Sequence, residues 1–303
     1  MKLDDSIFKI DAAAYVERLC DFIHERCATL HRDGVLVPFS GGVDSSTVLL
    51  LCERAVGNTR TTALLMPEIQ GNPAARRYAR LVTKQFKIRT ITRNISSVLS
   101  SLGTYRFILS VLPARQLQDW ATRYYMKSAG ENPFLKIMQG KASGLQRKGY
   151  AKFSSKQRVR TVVEYLVAEE RNLLVAGSAH KSEDLPGMFV KFGVDDSADI
   201  MPLKNLYRSQ VLQLAAFLGM PGAILERTPN PDIIPGVTDK YLDILGIPSA
   251  RLDLLLYGIE HGMEEADIAG QLALPLAKVQ EIHDLVRQAE HMRTPSQSLA
   301  WGG

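Results

Sequence analysis

Residues 35–39, Val-Leu-Val-Pro-Phe, run directly into residues 40–46, Ser-Gly-Gly-Val-Asp-Ser-Ser, and then into a second apolar segment, residues 47–52. The first run reads as a buried strand and the last as a helix. A short turn of small and polar residues must therefore carry a strand straight into a helix N-terminus. That order is the opening of a βαβ unit, and it commits the chain to a parallel sheet covered by helices. It is also an anion site in outline. The glycines allow close backbone approach, the free N–H groups point outward, and the helix dipole favours negative charge. Ser40, Ser45 and Ser46 add hydroxyl donors, and Asp44 offers a hard oxygen of the kind Mg²⁺ takes. The bland alternative is a Gly-Gly turn with a Ser or Asp N-cap. The loop lacks the Gly-Lys-Ser/Thr ending of the phosphate loop.

The rest of the chain extends the same rhythm. Residues 8–32 carry an amphipathic helical pattern, with Tyr15, Leu19, Phe22 and Ile23 among its apolar positions. Residues 61–66 read as a second strand closed by Pro67, residues 74–86 as a helix and residues 90–95 as a third strand. Alternating strands and helices predict parallel pairing, right-handed crossovers and a doubly wound α/β sheet. In such sheets ligands sit beyond the C-terminal ends of the strands, where the Ser-Gly-Gly loop falls. Residues 97–153 break the rhythm, because Gly130, Pro133, Gly140, Gly144 and Gly149 punctuate Lys/Arg-rich helical fragments. It resumes with a helix over 157–170, a strand over 173–177 and a helix over 206–218, ended by Gly219 and Pro221. A helical hairpin is expected over 264–290. The expected organisation is one α/β domain over residues 1–303, with a basic insertion-like segment at about 97–153 and a helical region at about 240–303.

Composition excludes more than it assigns. No apolar run approaches the ~20 residues of a membrane span. The N-terminus, Met-Lys-Leu-Asp-Asp, lacks the layout of a signal peptide. Three cysteines, Cys20, Cys27 and Cys52, have no metal-type spacing and read as packed thiols. A cytoplasmic protein is expected. The net charge of +5 is uneven: residues 96–156 hold ten Lys/Arg against Asp119 and Glu131 alone. The aromatics within residues 105–153 (Tyr105, Phe107, Trp120, Tyr124, Tyr125, Phe134, Tyr150 and Phe153) invite a nucleic-acid reading. Aromatics at helical spacing usually pack, however, and neighbouring lysines snorkel, so nucleic acid is the minor reading. His180, His261, His283 and His291 show no metal-ligand spacing and read as structural or surface residues.

A second constellation lies at residues 173–183, Leu-Leu-Val-Ala-Gly-Ser-Ala-His-Lys-Ser-Glu. A buried strand delivers Ser178 to its C-terminal end, and Glu183 follows closely enough to share a Mg²⁺ with Asp44. The competing reading is a solvated polar loop. Lys191, Asp195, Asp196 and Asp199 come next in a loop, where a lysine can neutralise charge building on phosphate in a transition state. The competing reading is loop charge facing water. Arg208 is a phosphate contact or a solvated helix charge.

The loop at residues 40–46 resembles the pyrophosphate-binding loop, Ser-Gly-Gly-x-Asp-Ser, of the N-type ATP pyrophosphatases, which split ATP into AMP and pyrophosphate while activating a carbonyl oxygen. The ordered set of motifs is similar to that of one family, the ammonia-dependent NAD synthetases, along almost the whole chain. Besides the loop, the set comprises Leu-Met-Pro at 65–67, Lys-Gln-Arg-Val-Arg at 156–160 and Gly-Ser-Ala-His-Lys-Ser-Glu at 177–183. It continues with Lys-Phe-Gly at 191–193, Asp-Ile-Met-Pro-Leu at 199–203, Pro-Gly-Val-Thr-Asp at 235–239 and Glu-His-Met-Arg-Thr-Pro at 290–295.

The resemblance implies an adenine nucleotide alpha hydrolase-like fold. It implies that Asp44 and Glu183 bind Mg²⁺, with Asp44 and Lys191 catalytic. Ser40, Gly41, Gly42, Val43, Asp44, Ser45, Ser46, Met66, Ser178, Arg208 and Asn230 would contact ATP. Arg158, Lys191, Asp199 and His291 would contact deamido-NAD. The implied reaction adenylates a carboxylate and then displaces AMP with ammonia. A homodimer is implied, its active sites completed across the interface. No glutamine-hydrolysing domain is expected, so ammonia is free or comes from a separate donor. The chain departs from the family pattern at Ser178, where the family has Thr, at Arg208 and Met292, where it has Lys, at Asn230, where it has Ser or Thr, and at Lys240, which replaces an acid; its 193–197 loop is one residue longer. These changes keep two alternatives open: a related ligase adenylating a different carboxylate, and a tRNA-modifying or nucleotide-binding protein.

Overall fold

The structure is a computed structural model that describes residues 1–106, 133–230, 236–294 and 296. Four parallel strands form one sheet: β1 (Gly34–Pro38), β2 (Thr61–Leu65), β3 (Arg89–Thr92) and β4 (Leu173–Val175), in the order β3-β2-β1-β4. Leu36 in the central strand stands opposite Thr62 on one side and Val175 on the other. A short parallel bridge between Ala176 and Ile200 extends the β4 edge.

The alternation of side chains along β1 accounts for a sheet covered on both faces. Val35 and Val37 point into the larger core with α1 (Ala12–Thr29), α2 (Val43–Val56) and α3 (Pro73–Gln85). Leu36 points the other way, where Leu64, Ile91 and Val175 meet Val167 and Ala168 of the long helix. Helix α2 lies deepest: Val48, Leu49, Leu50, Leu51 and Cys52 are all buried. Each such leucine contributes ~2 kcal/mol of apolar burial. The doubly wound parallel sheet expected from the sequence is therefore present.

Several boundaries differ from expectation for local reasons. The third strand stops at Thr92, because the Asn94 side chain accepts from the Ser96 N–H and bends the chain into α4 (Ser96–Ser101). After α5 (Pro133–Met138), helix α6 (Gly144–Glu170) begins 13 residues before the expected start at 157. Ser143 and Gln146 form a reciprocal capping box that fixes this start. Residues 144–153 are thus the first turns of a helix, which runs on through Gly149. Phe22, expected among the apolar positions of α1, is solvent-exposed and sits beneath the Arg26 guanidinium. Phe107, Asp119, Trp120, Tyr124, Tyr125, Gly130, Glu131, Pro235 and Pro295 lie outside the described residues.

Beyond β4 come α7 (Lys181–Asp184), α8 (Arg208–Phe217), α9 (Gly222–Leu225) and a five-residue π-helical turn at Tyr241–Leu245. They lead to α10 (Ser249–Glu260), α11 (Glu265–Leu272), α12 (Leu276–Gln288) and α13 (Glu290–Arg293). The expected hairpin is α11–α12, reversed at Ala273 in the left-handed region. Leu252, Leu255, Ile268, Ile282 and Leu285 form its core, which Leu3 and Phe8 from the N-terminus complete. No helix among the described residues is long and apolar enough to cross a membrane.

Candidate functional site

The strand order places a switch point at the C-terminal edge of β1. From β1 the chain winds toward β2 and β3, and it later returns to place β4 on the other side of β1. The segments leaving β1 and β4 therefore diverge, and a crevice opens between them. It holds a cavity of about 1470 Å³, lined by Ser40, Gly42, Asp44 and Ser45 from the first segment and by Gly177, Ser178 and Glu183 from the second. Met66, Arg208 and Asn230 also line it.

Gly42 caps α2 without a side-chain hydrogen bond, so the conventional Ser/Asp cap is excluded. The first turn of α2 instead faces the cavity through Val43, Asp44 and Ser45. The loop is stiffened from within by a 3.0 Å contact between the Ser40 and Ser45 hydroxyls, and the Gly42 N–H donates to Ser40 Oγ at 3.2 Å. Gly41 has φ +76°, and a Cβ on it would stand 2.7 Å from Ala79 N and 2.8 Å from Ala75 O. Helix α3 thus seats directly on the loop, which only glycine permits. Ser46 departs from expectation. It is fully buried on the core side of α2 and does not reach the cavity.

Asp44 and Glu183 meet in an ionic cluster. Arg208 donates to both Asp44 oxygens, at 3.1 and 3.3 Å. Lys240 contacts Glu183 and lies 3.9 Å from Asp44 Oδ2. His180 Nε2 stands 3.7 Å from Asp44 Oδ1 and 3.8 Å from Glu183 Oε2. Tyr241, fully buried, forms the floor: Arg208 lies 5.7 Å and Lys240 5.2 Å from its ring centre. Burial pushes the Asp44 carboxyl up, but Arg208, His180 and Lys240 outweigh it and hold the group well below the usual carboxylate range. Burial lowers His180, with the Asp44 charge opposing it. Burial also lowers Lys240, again against Asp44.

A donor atom from each of Asp44, His180 and Glu183 falls within 4.8 Å of the others. The two carboxylates fit a hard divalent cation. His180 is the member that sequence reasoning missed. Its one signal was position, three residues before Glu183 in the segment leaving a buried strand.

A buried support holds this cluster. Asp253 on α10 accepts from Ser182 Oγ at 2.5 Å and from the Ser209 N–H and Oγ at 2.8 and 2.6 Å. One carboxylate thereby ties α7, which carries Glu183, to α8, which carries Arg208.

The opposite wall is a second charged group. Glu68 receives Lys156 Nζ at 3.0 Å, Arg160 at 3.6 Å and the Tyr105 hydroxyl at 2.9 Å. On α6, Glu164 is fully buried, and neither of its carboxyl oxygens takes a hydrogen bond from the described residues. Burial, with Asp195 and Asp199 nearby, pushes it up to about 9.

The residues that the resemblance assigns to deamido-NAD lie elsewhere. Arg158, Asp199 and His291 are exposed, and neither they nor Lys191 line the cavity. Lys191 Nζ donates to the backbone carbonyls of His291 and Thr294, at 2.6 and 3.0 Å, and Arg158 donates to Lys191 O at 3.3 Å. Asp199 accepts from Val175 N at 2.8 Å and from the Tyr165 hydroxyl at 3.2 Å. Met292 is buried and packs beside Gly187, which accounts for an apolar residue where the resemblance expects lysine. Cys20, Cys27 and Cys52 are free thiols, half-buried or buried in the core and away from the cavity, as expected.

Comparison with known proteins bears on this arrangement. The model of the family described as NAD synthase matches residues 15–108 and 121–296. An NH(3)-dependent NAD(+) synthetase of Mesorhizobium japonicum is 33% identical, over 93% of this chain and 94% of its own. Among solved structures, the NMN synthetase of Francisella tularensis superposes with a TM-score of 0.71 at 22% identity, covering 97% of this chain and 100% of that one. The NH3-dependent NAD synthetase of Campylobacter jejuni, in complex with nitrate, gives 0.67 at 21%, covering 96% and 100%. These two likenesses establish the adenine nucleotide alpha hydrolase-like fold.

Proposed function

The chain belongs to the NAD synthase family, and from that premise we propose that it amidates the nicotinate carboxylate of deamido-NAD with ammonia, driven by cleavage of ATP to AMP and pyrophosphate. The observation that carries this reading is the convergence of the Ser-Gly-Gly loop, Asp44 and Glu183 on one cavity at the sheet's switch point.

The triphosphate would lie against the first turn of α2, where the N–H groups, Ser40 and Ser45 hold the pyrophosphate in line with the α-phosphate. Asp44 and Glu183 would hold Mg²⁺, which when bound offsets the charge of the phosphates. Arg208 keeps Asp44 ionised and oriented. The substrate carboxylate attacks the α-phosphorus, the bond to pyrophosphate breaks, and an acyl-adenylate forms. Ammonia then adds to the acyl carbon and AMP leaves. No protein nucleophile enters either step.

The four substrate-side residues lie outside the cavity, and Arg158, Asp199 and His291 are exposed. This supports a homodimer in which a second copy completes the nucleotide site. Sedimentation of the purified protein checks that directly.

The decisive assay supplies ATP, Mg²⁺, ammonia and deamido-NAD. Stoichiometric AMP and NAD are expected. ATP cleavage with other carboxylates but not with deamido-NAD would transfer the reading to a ligase for a different acid.

A further inference from the structure

Lys240 occupies a position with consequences for how a cation enters the site. Its ammonium contacts Glu183 and stands 3.9 Å from Asp44 Oδ2, so it bridges the two carboxylates that converge with His180. Only 15% of its side chain is exposed, against 18% for Asp44 and 14% for Glu183. Lys240 and Arg208 therefore oppose the charge of the two carboxylates at close range and largely out of solvent. A divalent cation entering between Asp44 and Glu183 would have to be desolvated beside the Lys240 ammonium, whose like charge repels it.

We propose that Lys240 is the resting counter-cation of the carboxylate pair: it takes the place of a divalent cation in the nucleotide-free protein and yields that place when a polyphosphate arrives. This inference rests on the reading of Asp44 and Glu183 as the metal carboxylates. A triphosphate brings about four negative charges, enough to accept both a divalent cation and the displaced ammonium. The lysine stem has four flexible carbons and a point charge at its end, so the ammonium can turn from Glu183 toward phosphate oxygens at the start of α2. Lys240 thereby makes metal binding conditional on nucleotide binding. A carboxylate at position 240, the residue type that the family resemblance leads one to expect there, would have the opposite effect and attract free cation.

The test is titration of Mn²⁺ into the full-length, nucleotide-free protein, reading free Mn²⁺ by its electron paramagnetic resonance signal. Lys240→Met is expected to bind Mn²⁺ about tenfold tighter than wild type, the scale of one removed competing charge. Lys240→Gln is a second neutral variant with the same expectation, and Lys240→Arg should stay as weak as wild type. With a non-hydrolysable ATP analogue bound, wild type and Lys240→Met should converge. Equal Mn²⁺ affinity of nucleotide-free wild type and both neutral variants overturns the proposal. If Asp44→Asn abolishes Mn²⁺ binding in that case, the metal reading survives. If Asp44→Asn changes nothing in any of these proteins, the metal reading and the proposal fall together.

Discussion

Arg208, at the start of α8, clamps both carboxylate oxygens of Asp44, 164 residues away in the chain, at 3.1 and 3.3 Å. The pair lies almost entirely out of solvent, with the Arg208 side chain only 4% exposed. Removing one partner of a buried pair leaves an uncompensated charge. Arg208→Met is therefore expected to cost about 3 kcal/mol of stability and to slow pyrophosphate release at saturating ATP. Urea unfolding at neutral pH, with single-turnover pyrophosphate release, measures both. Unchanged unfolding midpoints would show that Lys240 alone neutralises Asp44.

Glu164 sets a pH signature opposite in sign to that of Asp44. Its carboxyl is raised from an ordinary value of 4.5 to about 9 by burial and by Asp195 and Asp199. A group raised in the folded state contributes stability that is complete below 4.5 and is lost as pH climbs toward 9. Glu164→Gln keeps the shape without the ionisation, so it should match wild type at pH 4.5 and exceed it by about 5 kcal/mol at pH 8. Parallel stability curves for the two proteins across that range would sink the assignment.

Asp253 positions the α7 segment that carries Glu183 without lining the cavity. Replacing it with alanine strands Ser182, the Ser209 N–H and the Ser209 hydroxyl. The expected loss is about 3 kcal/mol. A lower kcat should accompany it, with little change in the KM for ammonia. Asp253→Asn, which keeps acceptor capacity, should recover part of both losses.

Gly41→Ala tests the seat of α3 on the loop. The added methyl would meet Ala79 N and Ala75 O, both under 3.0 Å away, at a positive φ. Strain of about 2 kcal/mol is expected, together with a weaker Kd for ATP. Calorimetric titration with a non-hydrolysable analogue reads the affinity. Binding equal to wild type would mean that the loop does not hold the phosphates.

On the substrate side, Lys191→Ala frees the carbonyls of His291 and Thr294 from their shared ammonium. It should raise the KM for deamido-NAD about tenfold, the scale of one lost charge-assisted contact, and leave ATP affinity unchanged. A fall in ATP affinity instead would place Lys191 at the phosphates.

The local sequence determined the elements and their order. The apolar run at 35–39, the glycines that follow and the helix behind them require a strand–turn–helix unit, because backbone sterics and side-chain alternation act over a few residues. The same short-range signals placed the α11–α12 hairpin and identified Asp44 and Glu183 as candidates. They failed where the deciding contact lies far along the chain. Only the tertiary structure put β4 beside β1 and so opened the crevice in which Asp44 meets Glu183. Burial then decided the chemistry of residues that look ordinary in sequence. His180 reads as one more surface or structural histidine until two carboxylates and Tyr241 surround it, and Ser46 reads as a phosphate donor until α2 turns it into the core. Lys240 registers in sequence only as a charge reversal, and its place between two carboxylates follows from the fold of the π-helical turn. Charge, unlike hydrophobic periodicity, has no meaning at one position alone. It acts through the distance and the dielectric that separate it from its partner, and both are properties of the folded chain.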